Sequence, residues 1–151
     1  MVSNPVFIRI LLLATLLMPL SPPASTAGGL TRELICNTDN GRQPQYIERD
    51  SASQNAFTAD RSSGTIFINP HALNTRPQPV VNYEFAKACL QVSGSRDDMC
   101  SIVQFMRDRN LLFSSDLETL QNYFVSRGRA TKDQGEADGY FQNIKQLYAC
   151  F

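Results

Sequence analysis

The chain has a single histidine, His71. A histidine-based zinc site needs more than one imidazole, so this ring cannot build one. His71 follows Pro70 directly and reads as an exposed loop residue rather than the base of a catalytic triad. Excess positive charge is also missing: 14 Lys and Arg stand against 14 Asp and Glu. No basic field is available to hold nucleic acid or anionic lipid. There is no C-x-x-C pair, which speaks against a cysteine-based metal site, and no Gly-rich phosphate loop. Beyond residue 27 no stretch is apolar enough to span a membrane, and no internal repeat is visible.

What is present at the start has the pattern of an export leader over residues 1–27. Arg9 is its only charge, and the apolar run "ILLLATLLMPL" from Ile10 to Leu20 has signal-peptide length but is short for a bilayer span. "SPP" breaks the run, and Ser25 and Ala27 place small residues before an expected cleavage after Ala27. No cysteine lies near that point, so a lipid anchor is not indicated. The expectation is one domain over 28–151, acting in the periplasm or secreted, with no membrane span after cleavage. All four cysteines, Cys36, Cys89, Cys100 and Cys150, fall in it. An even number in an exported chain reads as two disulfides. The expected pairs are Cys89–Cys100, a short staple between neighbouring helices, and Cys36–Cys150, a tie between the two ends.

Along the chain, "ELIC" and "PQYIE" are candidate strands, and "NAFTA" and "TIFIN" flank the turn "DRSSG" as a hairpin. "HALNTRPQPVV" reads as a loop leading into a helix over Val80–Val92, whose apolar face is Val81, Phe85, Ala88, Cys89 and Val92. Gly94 ends it. A second helix opens at "SRDD" and carries Met99, Ile102, Val103 and Met106 inward. A third begins at Ser115, with Glu118 completing a capping box, and stops at Gly128. "RGRATKDQGEADG" reads as a polar loop. The last helix, "YFQNIKQLYAC", turns Phe141, Ile144, Leu147 and Tyr148 inward. The fold class is α+β: a small N-terminal antiparallel sheet or hairpin, then about four helices, stapled by disulfides.

Little chemistry is on offer. Cysteines held in disulfides are not nucleophiles. Asp97 and Asp98 are neighbours at a helix start, where capping is the natural role. The helix after the prolines carries Glu84, Lys87 and Gln91 in one polar stripe, and Glu84 and Lys87 are spaced to form an exposed ion pair.

The segment "GTIFINPHALNTRPQPVVNYEFAKACLQVSG" with the following "DDMC" resembles a group of small exported bacterial zincin-like metallopeptidase proteins. Those proteins have an I-x-x-N-P strand, a proline-bearing loop, and a helix of the form F-A-H-E-C-x-H-H. An A-D-C and an H-x-x-G follow, and the chain closes with a cysteine. The resemblance covers most of residues 64–151, and its frame is kept here in "IFINP", Phe85, Ala86, Cys89, Gly94, Cys100, Gly139 and Cys150. Its chemistry is not. Lys87 stands where the first metal histidine would be, Ala88 for the general-base glutamate, Gln91 for the second histidine and Val92 for the histidine after it. Met99, beside Asp98, replaces the later acidic residue, and Glu136 replaces the last histidine. A protonated lysine cannot coordinate a cation, alanine accepts no proton, and a carboxamide is a poor zinc ligand.

The resemblance therefore implies a zincin-like minimal core without metal, cofactor or catalytic activity: a pseudoenzyme that binds a protein or peptide partner in the cell envelope. Glu84, Lys87, Gln91, Asp98 and Glu136 would line its cleft. Two other readings compete. One is an unrelated disulfide-stapled envelope interaction protein. The other is a residual hydrolase holding calcium or magnesium with Glu84, Asp97, Asp98 and Glu136. A central position of the 80–92 helix against the hairpin would favour the first reading over the unrelated protein.

Overall fold

The computed structural model describes Cys36 and residues 43–49 and 55–151. The expected leader and the strand around Glu33–Ile35 lie outside the described residues. The fold is α+β, a small sheet followed by helices.

Three short strands form the sheet: β1 (Gln45–Glu48), β2 (Phe57–Asp60) and β3 (Thr65–Ile68), in the order β1-β3-β2. β2 and β3 make the expected hairpin, with Phe57 opposite Ile68 and Asp60 opposite Thr65. Its turn is set by chemistry visible in "DRSSG". The Asp60 carboxylate accepts from the Ser62 N–H at 2.9 Å and its hydroxyl at 2.6 Å, and Gly64 takes a φ of +67° that side chains resist. β1 lies parallel to β3, so the sheet is mixed, not purely antiparallel. Parallel pairing needs a long crossover, and β2, which lies between β1 and β3 in sequence, takes the far edge of the sheet.

Pro70 opens a helix where a loop was expected: α1 spans Pro70–Thr75. Asn69 caps it, its side-chain oxygen accepting the Ala72 N–H at 3.3 Å, and proline at the first helical position loses no needed donor. α2 (Gln78–Val92) follows, with Pro77 before it and Pro79 in its first turn. From Val80 to Ala86 every residue of α2 is buried. The helix is therefore enclosed by β2, β3, α3 and α4 rather than amphipathic. Phe85 is fully buried and meets Phe57 of β2 edge-on at a centroid distance of 5.4 Å.

Asp98 caps α3 (Met99–Asp108), its Oδ1 accepting the Ser101 N–H at 3.0 Å. Met99, Ile102, Val103 and Met106 point inward as their spacing predicts. The third long helix starts later than expected: a 3-10 turn at Ser114–Asp116 precedes α4 (Leu117–Ala130). Ser115 and Glu118 do not cap it. Asp116 folds back instead and accepts the Phe113 N–H at 2.8 Å. Nor does Gly128 stop the helix. It lies buried within α4 because the Phe141 ring sits against it, where an added Cβ would come within 3.3 Å.

The expected polar loop is mostly helix. α5 spans Gln134–Cys150 and is capped by Asp133, which accepts the Glu136 N–H at 2.8 Å. α4 and α5 form an antiparallel hairpin. Leu147 is buried, but Phe141 (41 % exposed) and Tyr148 (50 % exposed) are not turned inward, since α5 is a surface helix that buries only a narrow stripe.

The cysteines pair Cys36–Cys89 and Cys100–Cys150, not as expected. Cys89 sits on the core side of α2 and meets Cys36, whose N–H donates to the Tyr46 hydroxyl at 2.8 Å. Cys100 leaves the first turn of α3 on the outer side, where α5 packs and ends. Each pair closes about 50 residues of chain, which in the chain-entropy model stabilises by about 4 kcal/mol apiece. No helix among the described residues is long and apolar enough to cross a membrane.

Candidate functional site

The polar stripe of α2 faces a pocket of about 230 Å³. β2 forms one wall through Phe57, Thr58 and Ala59, and α4 contributes Tyr123 and Arg127. Tyr140 and Asn143 reach in from α5. Lys87, Ala88 and Gln91 open into it together. Their spacing along one helical face and the enclosure of α2 by β2 and α4 place them there.

Glu84 is in the same pocket but not as a wet side chain. It is only 4 % exposed and is not ion-paired with Lys87, contrary to expectation. One oxygen accepts the Ala56 N–H at 2.5 Å, and the other accepts the Tyr123 O–H at 3.0 Å. Glu84 thus ties the entry of β2 to α4 across the central helix. Burial raises its pKa above the ordinary carboxylate range, and the two hydrogen bonds oppose that rise, as do the nearby Arg76 and Arg127 charges. Burial likewise raises the pKa of Tyr83 and Tyr123, so both phenols stay protonated.

Gln91 is held outward along the pocket rim. Its amide donates to Asp97 Oδ2 at 2.8 Å, and Arg61 pairs with the same oxygen at 3.3 Å. The Gln91 hydrogen bond leads in lowering the Asp97 pKa. Asp97, not Asp98, is therefore the carboxylate beside Gln91. Asp98 caps α3, and the Ser101 N–H keeps its pKa low. Its side chain faces a different, open groove. Glu136 lies in the first turn of α5, where Thr131 donates to it at 2.6 Å, and it reaches only the pocket's outer edge through the Tyr140 O–H at 3.4 Å. Of the five expected cleft residues, Glu84, Lys87 and Gln91 converge, whereas Asp98 and Glu136 do not line the pocket.

Glu84, Asp97, Asp98 and Glu136 are not brought together as an oxygen-ligand site, and among the described residues no cluster of three or more His, Cys, Asp or Glu is placed to hold a metal. His71 is exposed on α1. Tyr123 carries a signal in sequence only as part of an apolar face. Arg127 opens the segment read as a loop and Tyr140 directly follows it, which hid their place in the site.

Comparisons with protein-family models, with curated proteins and with solved structures find no match to this chain.

Proposed function

We propose that this chain is an exported, non-catalytic relative of zincin-like metallopeptidases that works as a binding module in the cell envelope. The observation that carries the reading is the setting of α2. It is the central buried helix, β2 lies against it through the Phe57–Phe85 contact, and Lys87, Ala88 and Gln91 all open into one pocket. This is where an active-site helix would display two metal ligands and a base. The residues present offer instead an ammonium, a methyl and a carboxamide, a set that binds but does not activate water. Two disulfides favour an oxidising compartment, periplasmic or extracellular, and accord with the leader pattern. The partner is a protein or peptide that presents a small group to the pocket.

The test is a zinc titration and a peptidase assay on the oxidised wild-type protein. No zinc uptake at micromolar concentration and no metal-dependent cleavage of a peptide library are expected. Cleavage that requires added metal would overturn the reading.

A further inference from the structure

Resting on that reading of the pocket as a binding site, we infer that it receives a small carboxylate, its oxygens set between Lys87 and Arg127. The charges around the pocket point to a monoanion. Arg61, Arg76, Lys87 and Arg127 stand in or beside it. Opposing them are Glu84, Asp97 and, at the outer edge, Glu136. One positive charge is left over. A phosphate dianion would exceed that surplus.

A cation is excluded by the same geometry. Both Glu84 oxygens already accept strong donors, the Ala56 N–H and the Tyr123 O–H, so neither is turned toward a guest. The Gln91 amide is committed to Asp97. The lining is donor-rich: the exposed Lys87 ammonium, with three N–H bonds, and the Arg127 guanidinium, which has five N–H bonds, is hydrogen-bonded to Tyr140 and lies with its central carbon 5.7 Å from that ring's centroid. A carboxylate spanning an ammonium and a guanidinium makes charge-assisted hydrogen bonds to both. Size narrows the class. The 230 Å³ volume holds about eight waters at their liquid volume, which is below the range of drug-sized pockets. A carboxylate with a short substituent fits, whether from a free acid or from the C-terminal end of a peptide. Phe57 and Tyr123 supply an apolar wall for that substituent.

The experiment is an amide-resolved NMR titration of the oxidised protein, without metal, at constant ionic strength. The probes are N-acetylalanine, N-acetylalaninamide and sodium acetate. N-acetylalanine should shift the amides of residues 87–91 and 140–143 saturably, at least tenfold more tightly than the uncharged amide. Binding by acetate at comparable affinity would assign the site to free acids, and binding by the acylated amino acid alone would assign it to peptide ends. Lys87→Gln should weaken the acid at least fivefold, and because Lys87 is exposed this variant should keep the wild-type melting curve. Arg127→Gln should weaken it similarly; since Arg127 is partly packed, Lys87→Gln is the deciding variant. Equal shifts by acid and amide, no saturable shift, or acid binding unchanged in Lys87→Gln would each overturn the inference. None of these results depends on zinc or peptidase activity, so failure here is distinct from failure of the parent reading.

Discussion

Removing the Glu84 carboxylate should cost more stability in acid than at neutral pH. In Glu84→Ala the buried Ala56 N–H loses its acceptor, which costs about 1–3 kcal/mol for an unsatisfied donor. The one methylene lost, Cγ, adds about 0.8 kcal/mol of lost transfer energy. Tyr123 is only partly buried, so its hydroxyl can turn to water and its loss adds little. The sum is about 2–4 kcal/mol when Glu84 is neutral. At neutral pH part of it is offset, because the wild type then buries a charge and the alanine variant does not. The sign follows from linkage. The folded-state pKa of Glu84 is raised above its ordinary 4.5, so the native state retains a proton that the unfolded chain has released. The contribution is full below the unfolded pKa and is lost as pH rises through the folded one. Glu84→Gln removes this dependence while keeping an acceptor for Ala56, and at pH 7 it should lie within about 1 kcal/mol of wild type or above it. Urea denaturation of the oxidised proteins between pH 4 and 8 measures all three. Wild-type stability that rises relative to Glu84→Gln as pH increases would refute the argument, as would an unaffected Glu84→Ala.

Two further expectations concern the frame. Asp98→Ala should destabilise by about 0.5–2 kcal/mol through loss of the α3 cap, while Ser115→Ala should shift the denaturation midpoint little, since Asp116 makes the bond there. Under limiting reductant, alkylation and mass spectrometry should find Cys100 and Cys150 opened before Cys36 and Cys89. The latter pair is 1 % and 3 % exposed, whereas Cys100 is at the surface; simultaneous labelling of all four would contradict this.

The hairpin, the inward residues of α3 and the existence of the central helix were legible in sequence because alternation, turn chemistry and helical period act locally. Glu84 was not. Its i, i+3 spacing to Lys87 suggests a shared wet face, but α2 is enclosed nearly all round, and in an enclosed helix period no longer separates wet from dry. Its partners, Ala56 and Tyr123, are 28 and 39 residues away. Gly128 and the segment after it misled for a related reason. Glycine there serves a close approach by Phe141 rather than a helix end. The cap at Asp133 that starts α5 early is a single residue in a polar run. The disulfide pairing depended on which side of α2 and α3 each cysteine leaves, which only packing decides. Asp97 was visible as a carboxylate, but its contact with Gln91 rests on the loop after Gly94 folding back along α2.

That contact sharpens the central test, which asks whether Lys87, Ala88 and Gln91 occupy a former metal position. The triple variant Lys87→His, Ala88→Glu, Gln91→His places two imidazoles one turn apart, with Asp97 beside the second as an oxygen ligand. The comparison is the same histidine pair placed at Glu118 and Asn122, two exposed positions one turn apart on α4. Isothermal titration with zinc should give at least tenfold tighter binding at the first place, and Asp97→Asn in the triple variant should reduce that advantage. Equal affinity at the two places would contradict the account and leave the α2 stripe as an ordinary polar helix face.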